Sequence, residues 1–328
     1  MVWHLLLNGL YAPQLMHIPD GFLSTPVALV GWLVAAAVIA YALRQTREQL
    51  GERQIPLLGV LAAFIFAAQA INFPVAGGTS GHLLGGALAA IILGPWAAVL
   101  VMTCVIALQG LLFQDGGLLV MGWNIMNMGV VTAFTGYLVY RLVKRIMGDS
   151  RPSLITAGII GAWLSVEVGA TATAIQLATS GTSPLAVALP AMVGVHALIG
   201  IGEALITVGA LLLIARTRPD FLERGAQAGG AASAAWVTGG LLVALVVALF
   251  SFTASSSPDG LERVAANQGF LARAQAPLYH LLPDYTIPFI SNETFSGIAA
   301  IVLGTLLIFA IVIGIGRSVR TSRSASKL

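Results

Sequence analysis

Apolar residues run along this chain in long blocks, cut by short polar stretches. The blocks cover residues 24–44, 56–73, 83–94, 95–113, 119–141, 153–178, 185–215, 232–253 and 296–316. Most have the length, roughly 17–25 residues, with which a helix crosses the hydrocarbon core of a bilayer. The block at 83–94 is short enough to be buried or re-entrant instead. Gly94-Pro95 separates it from the next block, because proline cannot continue the helical hydrogen-bond ladder. The pattern predicts an all-α, polytopic membrane protein with a seven-segment helical bundle and a C-terminal two-helix hairpin.

Composition supports that class. Of 328 residues, 58% are hydrophobic and 9% charged, against about 25% charged in a soluble domain. The basic residues set a direction. Arg44, Arg47 and Arg53 follow the first block; Arg141, Lys144, Arg145 and Arg151 the fifth; Arg216, Arg218 and Arg224 the seventh; Arg317, Arg320, Arg323 and Lys327 the last. Positive loops stay cytoplasmic. These four groups share one side only if 83–113 goes in and comes back. Residues 16–22 and 254–295 are then extracytoplasmic and the C-terminus cytoplasmic, in a cell (inner) membrane.

The expected organisation is an extension or misassigned start at 1–15, a membrane domain at 16–218, a cytoplasmic linker at 219–231, a two-span module at 232–317 and a tail at 318–328. No basic surface with interleaved aromatics speaks for nucleic acid. No GxxxxGK[ST] phosphate loop is present. The single cysteine, Cys104, excludes an intrachain disulfide and a cysteine zinc site.

Polar groups inside or beside the apolar blocks are the candidate chemistry. They are His82 in "GGTSGHLLGG", Glu167, His196 and Glu203, with Asn72, Gln109, Asn124 and Asn127. His196 and Glu203 share one helix face, where helix–helix hydrogen bonds are the expected role ahead of metal ligation. Met16-His17 and the 72–82 loop fall on the same side, so His17 and His82 can meet. Two imidazoles there point to a metal, or to ordinary caps and headgroup contacts. If the chain begins at Met16, its amine, the His17 amide nitrogen and His17 Nδ1 close adjacent chelate rings, and His82 adds a fourth nitrogen. Four planar nitrogens suit Ni(II) or Cu(II). Gly77, Gly78 and Gly81 permit a tight turn, and Gly85 and Gly86 close helix approach.

"MHIPDGFLS" (16–24), "INFPVAGGTSGHLLGGALAAIILGPWAAVLVMT" (71–103) and "DGGLLVMGWNIMNMGVV" (115–131) resemble the metal-binding subunit of cobalt/nickel energy-coupling-factor transporters, the CbiM/NikM family, over about residues 16–218. "SSSPDGLERVA" (255–265) and "LPDYTIP" (282–288) resemble the PDGLE, or NikN-type, module. The resemblance implies Ni(II) or Co(II) as transported substrate, held by the Met16 amine, His17 and His82. Asn72, Ser80, Asn124 and Asn127 are expected to support the loop that orients His82. The resemblance also implies a coupling transmembrane subunit (CbiQ/NikQ type) and ATPase subunits (CbiO/NikO type) as partners, besides membrane lipid. The chain itself is then a transport subunit, not an enzyme. Ala28, Ala35 and Ala36 offer a small-residue face to the coupling subunit or to plain packing.

Two other functions fit fragments of the sequence. Gly78-Thr79-Ser80-Gly81 with His196 resembles a rhomboid-type intramembrane serine protease, for which a Ser–His pair is the minimum. Glu167 and Glu203 are the carboxylates a self-sufficient cation transporter or channel would need.

Overall fold

Proline and glycine punctuate the helices. The computed structural model describes residues 17–49, 54–223 and 234–325. Helix α1 spans Thr25–Gln49 and α2 Ile55–Gln69, which carries Pro56 in its first turn, where a missing N–H costs nothing. A hairpin follows, β1 (Phe73–Val75) antiparallel to β2 (Thr79–Gly81), with Pro74 opposite Ser80. Helix α3 (Gly86–Leu93) stops at Gly94, whose φ is +83°, and α4 (Pro95–Leu108) restarts at Pro95.

A π-turn, Gln109–Phe113, extends α4. Next come α5 (Met121–Asn124), a π-segment (Ile125–Val131) and α6 (Thr132–Met147) in one run. Helices α7 (Arg151–Thr179) and α8 (Leu185–Thr217) form the most extensive pair, and α9 (Asp220–Glu223) is a short turn. The C-terminal part contains α10 (Ala234–Leu249), α11 (Gly260–Asn267) and α12 (Glu293–Ala325).

The architecture is helical, as the apolar pattern predicts, with two refinements. Among the described residues, 6 helices are long and apolar enough to cross a membrane: Thr25–Arg47, Pro95–Phe113, Arg151–Thr179, Leu185–Thr217, Ala234–Thr253 and Glu293–Val319. The expected segment 83–94 is the 8-residue α3, buried along its whole length. It fills the interior instead of spanning, because helices surround it on every side. The expected segment 56–73 shrinks to the 15 residues of α2, since Asn72 onward turns into the hairpin. That hairpin is the second refinement. Gly77 and Gly78 adopt φ of +80° and +70°, the left-handed values that let three residues reverse the chain.

Helices α10 and α12 pack on α2. Lipid tails are as apolar as leucine, so helix association here relies on close dispersion contact through small residues. At Gly304 of α12, an added Cβ would lie 2.4 Å from the Phe66 ring; at Gly59 of α2, 2.9 Å from Ile313. Ala28 and Ala35 of α1 are fully buried inside this chain and Ala36 is exposed. Ala28 and Ala35 therefore serve internal packing and are closed to a partner. A second apolar cluster joins Ile18, Phe22, Val120, Leu177 and Met192 to Leu261 and Val264 of α11. It gathers the 17–23, 114–120 and 254–275 segments at one end of the bundle.

Candidate metal site

The segment before α1 is fixed by its own polar groups. The Asp20 carboxylate accepts hydrogen bonds from the N–H groups of Leu118, Leu119 and Val120 at 3.1, 2.9 and 3.2 Å. The Asn124 amide holds Ile18 both ways, accepting from its N–H and donating to its carbonyl, each at 3.0 Å. His17 is thereby pressed against the 114–117 turn. Gly116 has φ +94°, and a Cβ there would sit 2.6 Å from the His17 Cβ. Glycine is what lets the two backbones come this close.

The His17 ring is buried. Its Nδ1 lies 2.7 Å from Asp115 Oδ1, and the Tyr285 hydroxyl donates to Asp115 Oδ2 at 2.7 Å. Burial opposes ionisation of Asp115, but His17, the hydrogen bonds from His17 and Tyr285 and the nearby His82 outweigh it and hold the carboxyl below its ordinary value. Burial and the adjacent Asp115 raise Tyr285 well above the usual phenol range, so its proton stays on. An ionised carboxylate only accepts. In the neutral ring, Nδ1 therefore carries the proton and Nε2 the lone pair. His17 Nε2 is buried and has no hydrogen-bond partner among the described residues.

His82 follows β2 directly. Its ring centroid is 6.1 Å from that of His17, and its Nδ1 is 2.9 Å from the Leu83 carbonyl. The buried Glu203 of α8 accepts from the N–H groups of Leu84 and Gly85 at 2.5 and 2.9 Å, which fixes the chain just after His82. Both histidines line a cavity of about 70 Å³, together with Asn124, Asn127, His196 and Asp259 among others.

The remaining expected residues fall in distinct places. Met16 lies outside the described residues, as does His4. Asn124 holds the backbone beside His17, not His82. Asn127 pairs with Thr173 and Gln176 of α7 while lining the cavity. The Asn72 carbonyl accepts the Ser255 N–H at 2.7 Å. Ser80 donates its N–H to Pro258 at 2.8 Å and its hydroxyl to Ser257 at 2.7 Å.

Asn72 and Ser80 thus tie the hairpin to the C-terminal loop. His196 bonds Met192 of its own helix at 2.7 Å and faces the cavity, and Glu203 clamps a loop; neither makes the expected helix–helix hydrogen bond. No hydrogen bond joins Ser80 to His196. Glu167 lies buried in α7, and no hydrogen bond to its carboxylate oxygens forms among the described residues.

Three residues at the site escape sequence reasoning: Asp115, Tyr285 and Asp259, whereas His196, singled out in the sequence, stands at the cavity wall. Asp115 opens the quoted "DGG" stretch, Asp259 sits in "SSSPDG" and Tyr285 in "LPDYTIP". Each was therefore marked by motif, but its partner is far off in sequence.

Two imidazoles can share an ion at this spacing. A bound metal sits about 2 Å from an imidazole nitrogen, hence about 3 Å from the ring centroid, so two rings on opposite sides of one ion stand about 6 Å apart. The carboxylate on His17 Nδ1 also matches the usual outer partner of a metal-bound histidine. This polarity differs from the expected chelate through Nδ1. Here Asp115 occupies Nδ1, and a chelate through Nδ1 requires the ring to turn and release Asp115. Among the described residues no three His, Cys, Asp or Glu side chains form a ready ligand set, so side chains alone do not complete a coordination shell.

Fold and site together define a multi-pass membrane protein with a buried two-imidazole pocket under a C-terminal cap. Residues 17–221 match the family model described as cobalt uptake substrate-specific transmembrane region, CbiM, and residues 234–321 match the PDGLE domain. The chain belongs to the CbiM family and carries a C-terminal PDGLE domain. It is 38% identical to a putative fused nickel transport protein NikMN of Archaeoglobus fulgidus, over 94% of this chain and 100% of that protein. It is 32% identical to a probable fused nickel transport protein LarMN of Lactiplantibacillus plantarum, over 89% of this chain and 96% of that one. A crystal structure of a transition metal transporter superposes with TM-score 0.55 at 33% identity, covering 61% of this chain and 93% of its own.

Proposed function

We propose that this chain is the substrate-binding membrane subunit of an ATP-driven energy-coupling-factor transporter importing Ni(II) or Co(II). The observation that carries the reading is the pairing of His17 and His82, whose ring centroids are 6.1 Å apart and which line one cavity. A small pocket lined by imidazoles suits a late first-row divalent ion. Nickel is the first assignment, because relatives carrying both modules are named nickel transport proteins. Backbone nitrogens complete the shell: the His17 amide and, in a chain that begins at Met16, the terminal amine; that chelate takes His17 through Nδ1, so metal loading turns the ring and releases Asp115, and His82 supplies the fourth nitrogen. Hydrolysis of ATP falls to separate ATPase chains, which act through a coupling membrane subunit. The 16–22 and 254–295 segments face outward, and the C-terminus faces the cytoplasm.

The test joins N-terminal sequencing of protein extracted from membranes to calorimetric titration with Ni(II) and Co(II). The expected start is Met16. His17→Ala and His82→Ala are each expected to weaken binding at least roughly 100-fold, the upper end for a lost metal partner, whereas His4→Ala changes nothing. Undiminished binding after both histidines are removed would overturn the site.

A further inference from the structure

The PDGLE turn, residues 258–262, has a cavity on either side. Asp259, Gly260 and Leu261 line the histidine pocket. Pro258 and Glu262 line an outer cavity of about 680 Å³, together with Asp115, Asp284 and Glu293. Glu262 and Asp284 also line a neighbouring cavity of about 410 Å³. Among the described residues, no lysine or arginine lines either one. Glu262 is only 6% exposed, and its Oε2 has no hydrogen-bond partner among the described residues. Arg263 lends Glu262 some charge but directs a guanidinium N–H to the Gly78 carbonyl. Burial, then the charge of Asp115, holds Asp284 above its ordinary carboxylate range, with His280 opposing. A buried acceptor without a partner is costly, and carboxylates that share a site resist joint ionisation. A cation among them relieves both.

We infer that the outer cavity is a second cation site, built largely by the PDGLE module, which collects hydrated Ni(II) or Co(II) before the histidine pocket takes the ion. The inference rests on the proposed metal site and adds its entrance. Carboxylates and water suit an ion that keeps its hydration shell, whereas imidazole suits nickel itself. The outer cavity has room for an ion with its first shell of waters, at about 30 Å³ per water. A cleft lined by one sign of charge concentrates the opposite ion and speeds its association. Asp115 connects the two sites, since it lines the outer cavity and bonds His17 Nδ1 at 2.7 Å. An arriving cation gives Asp115 a new partner, which frees His17 Nδ1 for the chelate.

Stopped-flow mixing of the full-length protein with aqueous Ni(II), followed by absorption of the bound ion, tests the entrance. Glu262→Gln keeps the shape and removes the charge. One unit charge in water changes the local concentration of a divalent ion about 10 Å away roughly 4-fold. The variant is therefore expected to bind roughly 3-fold more slowly at about 10 mM salt, and less than about 2-fold more slowly at about 0.1 M. Release of bound Ni(II) into a chelator and the thermal midpoint should stay near the parent's. Adding Asp284→Asn should slow association further. Mn(II) supplies a second probe, because it prefers oxygen ligands. It should still bind weakly to His82→Ala, as read by electron paramagnetic resonance, and Glu262→Gln on that background should weaken it.

Association unchanged in Glu262→Gln, or slowed equally at every salt concentration, would overturn the inference. So would Mn(II) binding that is absent from His82→Ala or untouched there by Glu262→Gln. His82→Ala separates the two levels of the claim. If it abolishes Ni(II) binding while Glu262→Gln leaves association unchanged, only the outer site falls. If it leaves Ni(II) binding intact, the histidine site falls, and the Mn(II) measurement still decides the outer one.

Discussion

Gly116 shows how little room the site leaves. Replacing it with alanine places a methyl 2.6 Å from the His17 Cβ on a backbone with φ +94°. Overpacking of this kind costs typically about 1–3 kcal/mol. Gly116→Ala is therefore expected to lower the thermal midpoint and to weaken Ni(II) binding together, as read by unfolding in detergent and calorimetry. Asp259 is a different case. Burial pushes it up to about 8 from its ordinary 3.8, while its carboxylate caps α11 by accepting the Glu262 N–H.

A carboxyl that holds its proton more tightly when folded stabilises most below its unfolded value. That contribution erodes as pH rises above about 4 and is lost as pH passes about 8. Asp259→Asn keeps a capping oxygen and removes the titration. The parent's thermal midpoint should fall more steeply between pH 5 and 9 than the variant's; parallel profiles would sink the assignment.

At the scale of elements, the break between α3 and α4 was readable from Gly94-Pro95, whereas the end of α2 at Gln69 was not. The β-hairpin was not, because a three-residue strand carries too little alternation to stand out from a glycine-rich loop. Glu203 was visible as a buried carboxylate in α8, but not its target. It accepts two backbone N–H groups at Leu84 and Gly85, so it ties α8 to the stretch that follows His82. Glu203→Ala leaves both donors buried without it, at about 1–3 kcal/mol each. The expected result is a lower thermal midpoint and weaker metal binding, with Glu203→Gln falling between parent and alanine.

Across the whole molecule, the C-terminal module is bound at two levels. Helices α10 and α12 lean on α2 inside the apolar layer, and the 255–285 segment is fastened to the hairpin and the 111–115 turn above it. Gly304→Val drives a branched side chain into Phe66 and Phe113 and should pry α12 from α2. Because Tyr285 reaches Asp115 from the connection leading into α12, bound Ni(II) should leave this variant faster than the parent in a chelator-chase experiment. An unchanged release rate alongside a lowered thermal midpoint would show that the two levels act independently.

The chain's order of apolar blocks determined its class, its helices and the pair of histidines that meet, since hydrophobic length and covalent spacing are local properties. Tertiary structure alone decided which nitrogen of His17 meets Asp115, that Asn124 serves His17 and not His82, and that Tyr285 closes a chain of contacts onto Asp115. Those choices join residues 98 and 170 positions apart, and such distant pairings depend on how whole helices pack, which no local pattern encodes.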